Sequence, residues 1–279
     1  MDPADGTQTG CREQDSAQQD AEASAGAAAP PAFCNKCGAP WDPDWITCPR
    51  CEAQQARKHA VQAAGVIRPI RSAIALYCVI LSICVCAALI IRLGTDTERV
   101  APIIIGADVV MTIVVALWCL RPDSRLWLTG LRHVGPARYY GISAVVGCVT
   151  FAVARLAVWL LVEYLHIPKL DATAPFVEAG LPVYVMILVI CVQPAVIEEI
   201  AFRGITLGAL QSAMNVREAV FVSTCMFAIL HVSFLSIPHL VFMGLIAAVI
   251  RIKSGSLYPC MLMHFTHNGL VVTTELLGF

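Results

Sequence analysis

Between Ile70 and Leu277 the sequence runs in long apolar blocks separated by short polar breaks. Lipid offers no hydrogen bonds to a backbone, so a chain crosses it as a helix of about 20 apolar residues or as a closed barrel. Seven segments meet or approach the helical length: 72–93, 100–120, 139–165, 181–208, 219–235, 238–252 and 256–277. The fourth contains Pro194 and the sixth is short. These blocks explain why 58% of the chain is hydrophobic and only 14% charged, where a water-soluble domain is nearer half apolar and a quarter charged. The expectation is an all-α polytopic membrane protein of about seven transmembrane helices, its body covering 72–279.

The residues before the first block obey another solvent. Residues 1–32 are Ala, Gln, Asp, Ser, Gly and Pro, with Asp2, Asp5, Glu13, Asp15, Asp20 and Glu22 set against Arg12. Such a segment buries too little to offset chain entropy, and it reads as a disordered acidic arm. Residues 33–54 hold Cys34-x-x-Cys37, ten residues, then Cys48-x-x-Cys51. That pair of knuckles resembles a zinc ribbon, four thiolates closing a tetrahedral structural site. In a reducing cytoplasm disulfides are disfavoured, and so small a module has almost no core without metal. Trp41 and Trp45 in its loop are candidates to pack on the knuckles or to meet a cytoplasmic protein partner. Residues 55–71 read as a helical basic linker carrying Arg57, Lys58, Arg68 and Arg71. Of the other nine cysteines, Cys11 lies in the arm, and the eight from Cys78 to Cys260 lie in apolar blocks as small buried residues.

Lys and Arg set orientation. The linker, the loop 121–138 with Arg121, Arg125, Arg132 and Arg138, and the turn with Arg251 and Lys253 fall on one side if the spans alternate. The N-terminus and its cysteine module are therefore expected in the cytoplasm. With no apolar stretch near Met1, the first span is expected to direct insertion itself. The loop 121–138 is a candidate interfacial helix. The net charge of −1 averages opposite local biases and predicts no partner; nucleic acid is not expected.

Ionisable groups inside a membrane helix are costly and point to function. The fourth block holds Glu198, Glu199 and Arg203, the fifth His231, and the seventh His264, His267 and Asn268. Glu199 and Arg203 are i,i+4 neighbours, the spacing of an ion pair. Glu198 lies about 100° around the helix and is left without that partner. It is the better candidate for a proton-accepting carboxylate. His264 and Asn268 share a face. Counted from the cytoplasmic ends, Glu198, His231 and His264 lie about 11, 13 and 9 residues in, roughly 14–20 Å deep at about 1.5 Å per residue. Three helices thus bring polar groups to one level. The plainer readings are a structural Glu199–Arg203 pair and a histidine bonded to a backbone carbonyl at His231. His239 and His267 have no partner in the sequence pattern, and Phe227 reads as packing.

Glu198-Glu199-x-x-x-Arg203, Phe227-x-x-x-His231 and His264-x-x-x-Asn268, in this order and in successive apolar segments, resemble the three motifs of the CPBP family. That family includes CAAX prenyl endopeptidases and bacterial Abi-type, bacteriocin-processing proteins. The stretch GSLYPCMLMHFTHNG also resembles its members. The likeness covers 181–279, about the last 100 residues, and leaves the ribbon and first three spans uncovered.

The resemblance implies a CAAX-type membrane endopeptidase. Carried over residue by residue, the resemblance implies that Glu198 would activate water with His231 assisting, His264 and Asn268 would stabilise the oxyanion, and Glu199 with Arg203 would hold the site together. A metalloprotease alternative stays open, in which His231, His264 and a Glu hold a catalytic divalent metal. Asn268 suits an oxyanion donor better than a zinc ligand, which favours metal-independent water activation. The HExxH zinc helix is absent, and Gly141-Ile142-Ser143 is too short a pattern to support a serine protease.

The expected function is hydrolysis of a peptide bond in a membrane-associated protein or peptide, in the lipid bilayer of a bacterial plasma membrane. Two alternatives stand beside it. One is a catalytically silent scaffold whose ribbon recruits a cytoplasmic partner; the other is a proton-coupled transporter built on the same Glu and His groups.

Overall fold

In a computed structural model of the chain, the residues described are 32–34, 39–41, 46–94, 96–125, 128–168 and 171–278. The acidic arm up to residue 31, and Cys37 and Trp45 of the cysteine module, lie outside them. The chain divides into two compact units, Met1–Gln62 and Ala63–Phe279.

In the first unit β1 (Ala32–Phe33) and β2 (Pro40–Trp41) pair antiparallel, with Ala32 opposite Trp41. Helix α1 (Pro49–Arg92) carries Cys51 in its first turn.

The second unit is helical. It contains the apolar part of α1, then α2 (Thr97–Cys119), α3 (Arg138–Leu165) and α4 (Val183–Gln211). There follow α5 (Val216–Leu230), α6 (Ile237–Ser254) and α7 (Tyr258–Leu276). All seven expected apolar segments are helices, but among the described residues five helices are long and apolar enough to cross a membrane: Ile67–Arg92, Thr97–Cys119, Arg138–Leu165, Val183–Gln211 and Phe234–Ser254. Seven crossings are therefore not confirmed, for two physical reasons. Helix α5 has 15 residues, about 22 Å at about 1.5 Å per residue, against a hydrocarbon core of about 30 Å. Helix α7 has 19 residues but carries His264, His267, Asn268 and Glu275 along it.

The loop 121–138 is not one interfacial helix. It forms a turn of helix at Pro122–Arg125 and a 3-10 turn at Leu128–Leu131, cut by Gly130, Gly135 and Pro136. The second turn docks by two bonds, Leu257 N donating to the Gly130 carbonyl at 3.0 Å and Tyr258 Oη to the Leu131 carbonyl at 3.0 Å.

Helix α4 is the centre of the bundle. In its most apolar stretch 39% of the residues are buried, against 11–17% for the first three spans. Lipid is as apolar as leucine, so helices associate in it through close packing and polar contacts more than through a hydrophobic drive. Two glycines make such contacts. A Cβ on Gly147 of α3 would lie 2.7 Å from Thr266 Cβ and 2.8 Å from the Met263 carbonyl on α7. One on Gly244 of α6 would lie 2.9 Å from Thr224 Cγ2 of α5 and 3.3 Å from Arg203 Nη2 of α4. Helix α5 starts on a capping box: Asn215 Oδ1 accepts from Glu218 N at 3.0 Å, and Glu218 Oε2 accepts from Asn215 N at 3.3 Å.

Candidate active site

The two glutamates sit on a short α-helical insert within α4, Gln193–Glu199, bracketed by two π-helical stretches, Ile187–Val192 and Ile200–Thr206. Wide turns of this kind leave carbonyls short of donors, and in lipid each must be satisfied by protein. Neighbouring helices supply them. Pro194 has no N–H for the carbonyl of Ile190 four residues earlier; Asn268 Nδ2 of α7 donates to it at 2.7 Å. Ser223 Oγ of α5 donates to the Phe202 carbonyl at 3.2 Å. The irregular helix is thereby locked to α5 and α7, which carry the other polar motif residues.

Glu199 is fully enclosed. Its Oε1 lies 3.1 Å from Arg203 Nη1 and 3.0 Å from His264 Nδ1. Arg203 also donates from Nη2 to the Gly244 carbonyl at 3.4 Å, and its guanidinium lies 4.2 Å from the centre of the Phe227 ring. A carboxylate accepts only, so His264 Nδ1 carries a proton and donates it. That bond aims the opposite nitrogen, Nε2, at Glu198, whose Oε2 is 4.0 Å away. This separation is too long for a hydrogen bond. Among the described residues, Glu198 Oε2 is a buried atom with no hydrogen-bond partner.

Phe227 is wholly buried and stands between the two imidazoles, its ring 5.0 Å from His231 and 6.2 Å from His264. His231 ends α5, its Nδ1 donating to the Phe227 carbonyl at 3.0 Å, so Nε2 is the ring nitrogen not engaged by that bond. The next residue, Val232, has φ 49°, a conformation costly for a β-branched side chain. The backbone-bonded histidine foreseen as the plainer reading is therefore present. Among the described residues, His231 and His264 do not join a glutamate in a group of three donor atoms within 4.8 Å. The three-ligand catalytic metal site is not assembled.

Two further sequence expectations change. His239 and His267 are not partnerless: their rings stack 6.4 Å apart at 8°. Thr150 Oγ1 gives its proton to the Gly147 carbonyl at 3.0 Å, so His267 Nδ1 donates to that oxygen at 3.1 Å. Asp108 was missed. It lies midway along α2, and its backbone carbonyl accepts from Gln193 Nε2 of α4 at 3.2 Å. Gln193 Nε2 also meets Thr112 Oγ1 at 3.2 Å. The Asp108 carboxyl is within electrostatic reach of Glu198, and Cys84 of α1 is within reach of both. The signal was available: an acid in the middle of an apolar block, outside every motif.

In the first unit Cys34, Cys48 and Cys51 bring their sulfurs within 4.8 Å of one another, with Cys34 Sγ and Cys51 Sγ 3.8 Å apart. A tetrahedron with Zn–S bonds of about 2.3 Å has edges of about 3.8 Å, and a disulfide is about 2.0 Å. The set fits a structural metal site; the fourth expected ligand, Cys37, lies outside the described residues.

Residues 180–270, which include every intramembrane motif residue named above, match the family profile described as Type II CAAX prenyl endopeptidase Rce1-like. An Escherichia coli relative named only as an uncharacterized 24.3 kDa protein is 30% identical over 160 residues, covering 55% of this chain and 73% of that protein. The chain belongs to the Rce1-like family. Its apolar helices make it an integral membrane protein. No solved structure matches it.

Proposed function

We propose that this Rce1-like protein is an intramembrane endopeptidase in which Glu198 activates water against a peptide bond of a membrane-associated substrate. One observation carries the reading: a buried carboxylate oxygen without a partner faces, across 4.0 Å, an imidazole nitrogen whose other side is anchored on Glu199. With His264 neutral and Glu198 ionised, both facing atoms are acceptors. A water with bonds of about 2.6–2.8 Å to each subtends an angle close to its own, so it gives one proton to each and turns its lone pairs outward. On attack Glu198 takes the proton, the water oxygen bonds the carbonyl carbon, and the proton passes to the leaving amine as the C–N bond breaks.

Glu199 and Arg203 hold His264 in its tautomer and orientation. One N–H of Asn268 is committed to Ile190, and the second is the donor left for an oxyanion. His231 assists through Nε2. Asp108 serves as a second acid within reach of Glu198. Four thiolates, Cys37 included, hold a structural zinc in the N-terminal ribbon, which faces the cytoplasm of a bacterial plasma membrane.

The test is cleavage of a membrane-embedded peptide in proteoliposomes by wild type and Glu198→Gln. Loss of a general base lowers the rate about 10²–10⁴-fold while the variant keeps its fold. Unchanged cleavage by Glu198→Gln refutes the assignment.

A further inference from the structure

A concavity rimmed by arginines lies far from this chemistry in the chain, where the start of the α1 span meets the end of α2. A cavity of about 670 Å³ is lined by Ile67, Arg68, Arg71, Ser72, Ala75, Trp118 and Arg121. Two ties hold α1 and α2 level there: Trp118 Nε1 donates to both the Ser72 carbonyl, at 3.2 Å, and Ser72 Oγ, at 3.1 Å. These bonds fix the indole as a wall, and the Arg121 guanidinium lies 4.9 Å from its ring centre. Arg68 and Arg71, three residues apart, reach the rim from the other helix.

Arginines at a span end are expected from topology alone. Topology, however, requires only their number. It requires neither their convergence on one cavity from two helices nor an indole held rigid between them. A guanidinium presents a planar fork of donors that suits phosphate oxygens bidentately. Trp118 lies at the end of the α2 span, and Ala75, one turn further into the α1 span than Arg71, gives the cavity an apolar inner side. Basic pockets between helices at a membrane surface recognise anionic headgroups.

We propose that this pocket binds a phosphate anion, carried as the headgroup phosphate of an anionic membrane lipid. The lipid phosphate lies between Arg71 and Arg121, with its glycerol against Trp118 and its chains leaving over Ala75 along the α1 span. The site is independent of whether Glu198 cleaves peptides.

The full chain is purified in detergent, supplied with equimolar phosphatidylglycerol and phosphatidylcholine of identical acyl chains, and the retained lipid is counted by native mass spectrometry. Wild type retains phosphatidylglycerol preferentially. Arg71→Gln/Arg121→Gln loses that preference by about 30-fold, the strength of two surface arginine–lipid contacts. Arg71→Lys/Arg121→Lys, which keeps charge without the fork, loses part of it. Melting curves matching wild type show that each variant is folded. Arg132→Gln/Arg138→Gln removes two exposed arginines outside the pocket and leaves retention unchanged. Displacement by millimolar inorganic phosphate supports the anion site with a soluble source, and resistance to it supports the lipid. Equal retention of the two lipids by wild type overturns the proposal. So does a loss in Arg132→Gln/Arg138→Gln as large as in the pocket variant.

Discussion

Removing Arg203 tests whether the charges beneath Glu198 form a single unit. Glu199 is 0% and Arg203 2% exposed, 3.1 Å apart, where two unit charges attract by about 5 kcal/mol at an effective dielectric near 20. Desolvation of both ions offsets most of this, so the pair adds little net stability, while breaking it leaves a buried charge uncompensated at about 3–5 kcal/mol. In Arg203→Ala, Glu199 keeps His264 Nδ1 at 3.0 Å, which places the loss near the lower end, about 3 kcal/mol. Glu199→Gln strands Arg203, whose remaining acceptor is the Gly244 carbonyl at 3.4 Å, and costs a similar amount. Glu199→Gln/Arg203→Met removes both charges and approximately keeps volume. It is expected within about 1 kcal/mol of wild type, a coupling of several kcal/mol. The assay is equilibrium unfolding in mixed micelles of rising dodecyl sulfate content, read by thiol labelling of Cys191 and Cys260, which are 1% and 0% exposed. A double variant that loses the sum of the two singles refutes the reasoning, because independent residues add.

Four further outcomes follow from other contacts. Asn268→Ala leaves the Ile190 carbonyl without its donor inside the bundle and costs about 1–3 kcal/mol in the same unfolding assay, together with a fall in cleavage. Gly147→Leu forces α3 away from α7, where even a Cβ meets Thr266 at 2.7 Å; overpacking of about 1–3 kcal/mol is expected, and cleavage falls as His264 shifts with its helix. Asp108→Asn keeps the backbone carbonyl that accepts from Gln193, so melting is unchanged while cleavage drops at least about 10-fold if the carboxyl handles a proton; equal turnover removes it from the site. Purified wild type carries one zinc per chain by elemental analysis, and Cys34→Ser/Cys51→Ser carries none while retaining cleavage, since the ribbon metal has a closed coordination sphere.

What the sequence made legible followed from periodicity and cost. Apolar blocks located every long helix of the bundle, because lipid admits few alternatives, and i,i+4 spacing anticipated the contact of Glu199 with Arg203. The same spacing separated Glu198 from Arg203, and its Oε2 is found without a hydrogen-bond partner among the described residues. Span number was less legible, since α5 and α7 reconcile apolar character with short length or polar content in ways that packing against α4 decides. The π turns of α4 were invisible, although Pro194 marked the end of the first of them. A proline announces that a carbonyl loses its donor, but not which residue, 78 positions later, replaces it. His267 with Thr150 and Gln193 with Asp108 are hidden for the same reason, being bonds between helices whose rotation about their axes no single-helix pattern contains. Asn268 joins the two levels. Its place four residues after His264 puts it on the motif face, and its bond to Ile190 fastens the α7 histidine to the break in α4 that precedes Glu198. Register between His264 and Glu198 therefore rests on a hydrogen bond to the backbone, so replacing the amide disturbs the site even where its second N–H plays no chemical part.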